Sequence, residues 1–251
     1  MPEELESAQT YPVAEIFGPT IQGEGALAGK VTHFVRFGGC DYKCLWCDSA
    51  HAVLPESVKG LNRLTQREIA LQLFELPGTP DWITLSGGNP AMHKGLEDLI
   101  EHLHLASYKV AVETQGTKFP EWLHKVDHIT CSPKPPSSGM VNFDDVDRFL
   151  ETAPLTKTSL KVVVFDDLDY EYAVTVHQEH PEFPFYLSVG TLMGGLFGNF
   201  RNGEIDRDIG ILERYKWLVE KVLEDSDDGP MGNVSVFPQL HVLLWGHVRG
   251  R

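Results

Sequence analysis

Val31-Thr32-His33-Phe34-Val35-Arg36-Phe37 is followed at once by Gly38-Gly39-Cys40-Asp41-Tyr42-Lys43-Cys44-Leu45-Trp46-Cys47. The first seven residues are rich in β-branched and aromatic side chains, the composition that suits a pleated, half-buried surface. Turn-prone chain from Gly18-Pro19 to Lys30 bounds them upstream, and the glycine pair bounds them downstream. The cysteines therefore begin where a strand ends.

Outward from this strand, further strands are predicted at Trp82–Leu85, Val110–Glu113, His128–Ser132, Leu160–Phe165, Phe185–Val189 and Val234–Phe237. Helix-like stretches lie between them around 95–106, 144–152, 168–179 and 207–224. Thr65-Gln66-Arg67-Glu68 has capping-box spacing and opens a helix through Leu71, Leu73 and Phe74 that stops at Pro77-Gly78. Such alternation argues for a parallel α/β sheet, either doubly wound or rolled into a full or partial barrel, and periodicity does not choose between them. In all of these the ligand site lies at the C-terminal ends of the strands. Gly38-Gly39-Cys40, Ser86-Gly87-Gly88-Asn89-Pro90, Glu113-Thr114-Gln115-Gly116 and Ser132-Pro133-Lys134 all follow predicted strands.

At 251 residues the chain is read as one domain over 1–251, with 1–11 as a frayed acidic leader. That leader lacks the basic and apolar regions of a secretory signal, and no apolar run approaches the roughly 20 residues that span a bilayer. A cytoplasmic protein without a membrane partner is expected. The net charge of −15 repels a phosphate backbone, which argues against nucleic acid as a partner. Of four cysteines, three fall within eight residues and Cys131 stands alone, unlike a disulfide framework. Cys131 reads as a small buried hydrophobe.

Cys40-x3-Cys44-x2-Cys47 supplies three thiolates from one loop, one fewer than an iron–sulfur cluster usually receives, so one iron would stay open. The rival is a structural zinc site completed by His51, four residues beyond Cys47. The single loop with its neighbours Trp46 and Asp48 leans towards iron and sulfur.

These cysteines, with Phe17-Gly18-Pro19-Thr20-Ile21-Gln22-Gly23-Glu24-Gly25, Cys47-Asp48-Ser49 and Ser132-Pro133-Lys134-Pro135-Pro136, resemble the 7-carboxy-7-deazaguanine synthase family of radical S-adenosylmethionine (SAM) enzymes. The likeness runs from about residue 13 to Trp245-Gly246. It implies a modified partial (β/α) barrel with mainly parallel strands, a homodimer, and an external electron donor such as a flavodoxin. Cys40, Cys44 and Cys47 would hold a 4Fe-4S cluster whose open iron takes the amino and carboxylate groups of SAM. SAM contacts would come from Trp46, Cys47, Asp48, Gly88, Asn89, Glu113, Gln115, Ser132, Pro133 and Lys134. Asn89 departs from the commoner Gly-Gly-Glu-Pro and would make a modified contact. Phe37, Tyr42 and Trp46 would shield the cluster.

The implied substrate is 6-carboxy-5,6,7,8-tetrahydropterin, bound by Ile21, Gln22, Gly23, Glu24, Arg36, Ser86, Gln239 and His241, with Arg36 on its carboxylate. Ser49, where many members carry Thr, would ligate magnesium. The implied reaction is a radical ring contraction to 7-carboxy-7-deazaguanine with loss of ammonia and catalytic use of SAM, in queuosine biosynthesis. Two rivals remain at this stage: a radical SAM activase that makes a glycyl radical on a partner protein, and a zinc-stabilised binding module.

Overall fold

The computed structural model describes residues 8–191, 207–226, 229 and 231–250. The strands are β1 (Thr10–Ile21), β2 (Val31–Phe37), β3 (Asn62–Thr65), β4 (Trp82–Gly87), β5 (Lys109–Thr114), β6 (His128–Cys131), β7 (Thr158–Val164), β8 (Phe185–Val189) and β9 (Val234–Pro238). The helices are α1 (Ala50–Val53), α2 (Pro55–Lys59), α3 (Gln66–Glu75), α4 (Glu97–Leu105), α5 (Phe143–Thr152), α6 (Asp167–Glu179), α7 (Arg207–Glu224) and α8 (Leu240–Trp245).

Local sequence explains the helix starts. Thr65 accepts from the Glu68 N–H at 3.2 Å while Glu68 accepts from the Thr65 N–H at 2.7 Å, the reciprocal capping box the spacing predicts. Asn142 and Asp166 cap α5 and α6 through the N–H groups of Asp145 and Asp169.

All strands form one sheet in the order β3-β1-β2-β4-β5-β6-β7-β8-β9. From β2 to β9 every neighbouring pair is parallel. From β2 to β9 the order rises without reversal, whereas a doubly wound sheet turns back at a switch point, so this part of the sheet is wound as a barrel. The edges of the whole sheet are β3 and β9, which makes the barrel partial. β7 is buried along its whole length, as a central parallel strand covered on both faces must be.

The sequence reading misses β1 and β3. Thr10 and Tyr11 do not belong to a frayed leader: they open β1, Tyr11 is 1% exposed, and its hydroxyl donates to the Gly95 carbonyl at 2.5 Å. Residues 1–7 of that leader lie outside the described residues. Gly18-Pro19 also falls inside β1, whose pairing with β2 shifts register between Val13 and Glu15 and between Phe17 and Thr20. Those shifts break the period of two by which a strand is recognised. Phe37 does not wall the cysteine loop; it is fully buried against Tyr11 and His93 in the core. Cys131 is fully buried, and burial pushes its thiol up to about 12.

Several histidines are held neutral by burial. His128 is brought down to about 4 by desolvation, and His33, His93 and His177 shift the same way. The unfolded chain takes up these protons near pH 6.5 while the folded chain resists until lower pH. Stability is therefore full above about pH 6.5 and is lost as pH falls towards about 4. Thermal unfolding followed by circular dichroism is expected to show a falling Tm across that window, with a shallower slope in His128→Gln.

Candidate active site

One cleft gathers the unusual residues at the C-terminal ends of the parallel strands. Its lining includes Ile21, Gln22, Gly23, Glu24, Arg36, Cys40, Cys44, Trp46, Cys47, Asp48, Ser49, Ser86, Gly88, Glu113, Gln115, Ser132, Lys134, Gln239 and His241. Of the residues singled out from sequence, Asn89 and Pro133 are not in that lining; both are buried behind it.

The glycines after β4 serve the neighbouring chain. A Cβ on Gly87 would stand 2.1 Å from the Phe37 carbonyl oxygen, and one on Gly88 would stand 1.9 Å from that of Gly39. Gly88 and Asn89 donate their N–H groups to those two carbonyls at 3.0 and 2.8 Å. The end of β4 is thereby clamped to the root of the cysteine loop, a close approach that only glycine permits.

Asn89, expected to touch SAM, instead has every hydrogen-bonding position filled within the protein. Its amide donates to Asp41 Oδ1 at 3.0 Å and Thr117 Oγ1 at 3.1 Å. Its carbonyl oxygen accepts from Thr114 Oγ1 at 2.8 Å and the Ala91 N–H at 3.2 Å. It is fully buried and fixes Asp41, which also accepts from Gln115 Nε2 and Thr117 Oγ1. Gln115 in turn donates to Cys40 Sγ at 3.4 Å. Asn89→Ala leaves buried donors and acceptors without partners, at about 1–3 kcal/mol for each. A loss of roughly 2–4 kcal/mol in unfolding free energy is expected by urea denaturation, against a small change in SAM affinity.

The three thiols fit a cluster better than a single zinc ion. Tetrahedral zinc at Zn–S distances of about 2.3 Å brings its sulfurs within roughly 4 Å of one another. Cys40, Cys44 and Cys47 do not meet even a mutual spacing of 4.8 Å; among the described residues only Asp147, Glu179 and His180 do, and there His180 is already paired with Asp147. His51, the fourth ligand of the zinc reading, lies 3.5 Å from Glu15 Oε2. Burial raises the thiols of Cys40 and Cys44, and burial together with Asp48 takes Cys47 to about 12. Thiols of this kind become ligands by giving up protons to a metal.

Beside the cysteines, Trp46 packs on Phe165 with ring centroids 5.0 Å apart, and its Nε1 donates to Ser137 Oγ at 2.9 Å. Ser137 Oγ donates to Asp169, which anchors the loop after β6 to α6. Lys134 Nζ sits 5.9 Å from the Trp46 ring centre and donates to Ser132 Oγ at 2.9 Å.

Another part of the cleft lining is built from the loop after β1 and the chain after β9. A Cβ on Gly23 would stand 2.0 Å from His241 Nδ1, so a larger residue there would displace the imidazole, and the Gly23 carbonyl accepts from the Leu240 N–H at 3.0 Å. Gln22 Nε2 donates to Glu113 Oε1 at 3.2 Å, which joins the loop after β1 to the end of β5. Glu24 Oε2 lies 2.6 Å from Lys161 Nζ, and Glu24 Oε1 accepts from Gln239 Nε2 at 2.9 Å. Burial alone would raise the Glu24 carboxyl; Lys161, then His241, bring it to about 2.

Arg36 donates from Nε to Glu15 at 3.0 Å and from a terminal nitrogen to Ser49 Oγ at 2.5 Å. Ser49 Oγ donates to Asp48 Oδ1 at 3.0 Å. Arg249 also pairs with Glu15 at 2.6 Å. Lys161, Glu15 and Asp41 are the charged residues the sequence reading passes over. Lys161 carried a signal, a lysine inside the apolar run Leu160-Lys161-Val162-Val163-Val164, and the other two carried none.

The sequence matches the family model of the Radical SAM superfamily over residues 34–132. It is 44% identical to the 7-carboxy-7-deazaguanine synthase of Bacillus subtilis, covering 97% of this chain and 99% of that one. It is 42% identical to the Bacillus cereus protein of the same name, covering 95% and 98%. The crystal structure of QueE from Escherichia coli shares the fold, with a TM-score of 0.63 at 19% identity over 92% of this chain and 95% of that one. Such identity along the whole length, with the cysteine loop inside the matched segment, shows that the chain belongs to the 7-carboxy-7-deazaguanine synthase family of radical SAM enzymes.

Proposed function

We propose that this chain is a lyase that contracts the ring of 6-carboxy-5,6,7,8-tetrahydropterin to 7-carboxy-7-deazaguanine with release of ammonia, on the route to queuosine and related deazapurines. The observation that carries this is the full-length identity with proteins of that name, joined to a cleft lined both by three thiols and by paired amide and carboxylate groups.

The family implies a 4Fe-4S cluster and SAM. Cys40, Cys44 and Cys47 would hold the cluster, with Trp46, Asp48, Gly88, Gln115, Ser132 and Lys134 placed to receive SAM. When bound, these groups supply the low-potential electron and the organic radical that begins the reaction. The chain's own residues bind, orient and shield. Trp46, Tyr42 and Phe165 make the cysteine part of the cleft aromatic. The Arg36 guanidinium, in the lining of the same cleft, suits the substrate carboxylate. Gln22, Glu24, Glu113, Gln239 and His241 offer the mixed donors and acceptors that a pterin edge needs, with Ile21 and Ser86 beside them.

Magnesium is supported by donor chemistry. Ser49 Oγ and Asp48 Oδ1 are hard oxygens 3.0 Å apart in the cleft wall, and magnesium takes few protein ligands. The proposal extends to one working domain over 1–251, a homodimer, a cytoplasmic location and an external flavodoxin-like donor. Among the described residues no helix is long and apolar enough to cross a membrane.

Anaerobic reconstitution with iron and sulfide, then dithionite, SAM, magnesium and 6-carboxytetrahydropterin, tests the reading by mass spectrometry. The expected product is 7-carboxy-7-deazaguanine. Cleavage of SAM without that product would keep the superfamily and reject the substrate.

A further inference from the structure

Lys161 is the most deeply placed cation of the cleft. It sits on β7, where every residue is buried, and its side chain is 8% exposed. A lysine in such a strand is costly unless paired. Its partner Glu24, 11% exposed, comes from the loop after β1, 137 residues away in sequence. The second oxygen of Glu24 is taken by Gln239, and Gln239 Oε1 accepts from Thr191 Oγ1. One relay thus ties the loop after β1, the middle of the sheet, and the chain segments that follow β8 and β9.

Stability does not require this arrangement. An apolar pair of similar volume would join the same elements without desolvating two charges. Both members of the ion pair line the cleft, in the part assigned above to the pterin.

We propose that Lys161 is a positioning residue for substrate binding: it holds the Glu24 carboxylate ionised and in a single orientation, so that the loop after β1 stands ready for the pterin edge. The inference rests on the pterin reading of that loop. The charges around the pair agree with it. Lys161 faces Glu24, Glu113 from the end of β5 and Asp48 from the cysteine loop. Glu24 faces Lys161 and also His241 from the C-terminal segment. Without the ammonium, three carboxylates share the cleft with no central cation, and buried Glu24 is free to take a proton or turn away.

The test measures binding of 6-carboxypterin, an oxidised ligand that does not turn over, to the reconstituted cluster-loaded protein by isothermal titration calorimetry. K161M is expected to bind at least tenfold more weakly than wild type at pH 8. The loss is expected to grow towards pH 6 more steeply than any change in wild type. In an E24Q background, adding K161M is expected to change affinity less than twofold, because Lys161 acts through Glu24. Wild-type affinity in K161M would overturn the inference. So would an equal loss in the E24Q background, which would mean that Lys161 meets the ligand directly. If K161M does not fold, the comparison of E24Q with E24Q/K161M, which removes both members of the ion pair together, decides the same point. Failure of wild type to bind would instead overturn the pterin reading, and the inference with it.

Discussion

Cys44→Ala is expected to reduce formation of 7-carboxy-7-deazaguanine to background while leaving the folded chain intact. The cofactor carries the hard chemistry in enzymes of this kind, so removing one of three cluster ligands removes the reaction and not a fraction of it. Cys44 is only half-buried, and its neighbours hold the loop by other means: Leu45 donates its N–H to the Ser138 carbonyl at 3.0 Å, and Trp46 donates to Ser137. The cost to the unloaded fold is therefore expected to stay below about 1 kcal/mol. Iron and sulfide content, visible absorbance and product yield are expected to fall together in the variant, with Tm of the unloaded chain nearly unchanged. A variant that keeps full cluster content would show that Cys44 is not a ligand.

Arg36→Ala is expected to act on the substrate and spare the cluster. Losing a charge-assisted, two-pronged contact to a carboxylate in a secluded site costs about 2–5 kcal/mol, or roughly 30- to 5,000-fold in kcat/KM. The change should appear mainly as a raised KM, since a contact made equally in ground and transition states contributes to binding. Arg36 also holds Ser49 Oγ, so magnesium dependence is expected to shift in the same variant. Glu15 keeps Arg249 and His51 as neighbours, which limits the structural damage. Steady-state kinetics with cluster absorbance as a control check this; an unchanged KM would remove Arg36 from the substrate site.

Much of the fold is legible because parallel strands buried on both faces announce themselves as short apolar runs. β2 and β8 fall where the runs Val31–Phe37 and Phe185–Val189 place them, and α3 starts at its capping box. β1 is hidden for a physical reason: its bulges at Val13/Glu15 and Phe17/Thr20 break the alternation, and Gly18-Pro19 reads as a turn. β3 is a four-residue edge strand, Asn62–Thr65, whose polar side chains carry no strand signal.

The cleft divides the same way. The cysteine loop is local in sequence, so spacing reveals it. Asn89, by its position after two glycines, matches a ligand-contacting slot, while three of its four partners come from two other segments that spacing cannot see. Glu113 lies near the end of β5, and its partner Gln22 is 91 residues away. The Glu24–Lys161 pair is equally remote in sequence, although the lone lysine in an apolar strand marks one half of it.

The mass balance of turnover in the reconstituted wild-type chain decides whether this protein contracts the pterin ring. The expected result is one 7-carboxy-7-deazaguanine and one ammonium for each 6-carboxytetrahydropterin consumed, with several turnovers per SAM. Pterin recovered unchanged while SAM is cleaved, or products in any other ratio, would contradict the account.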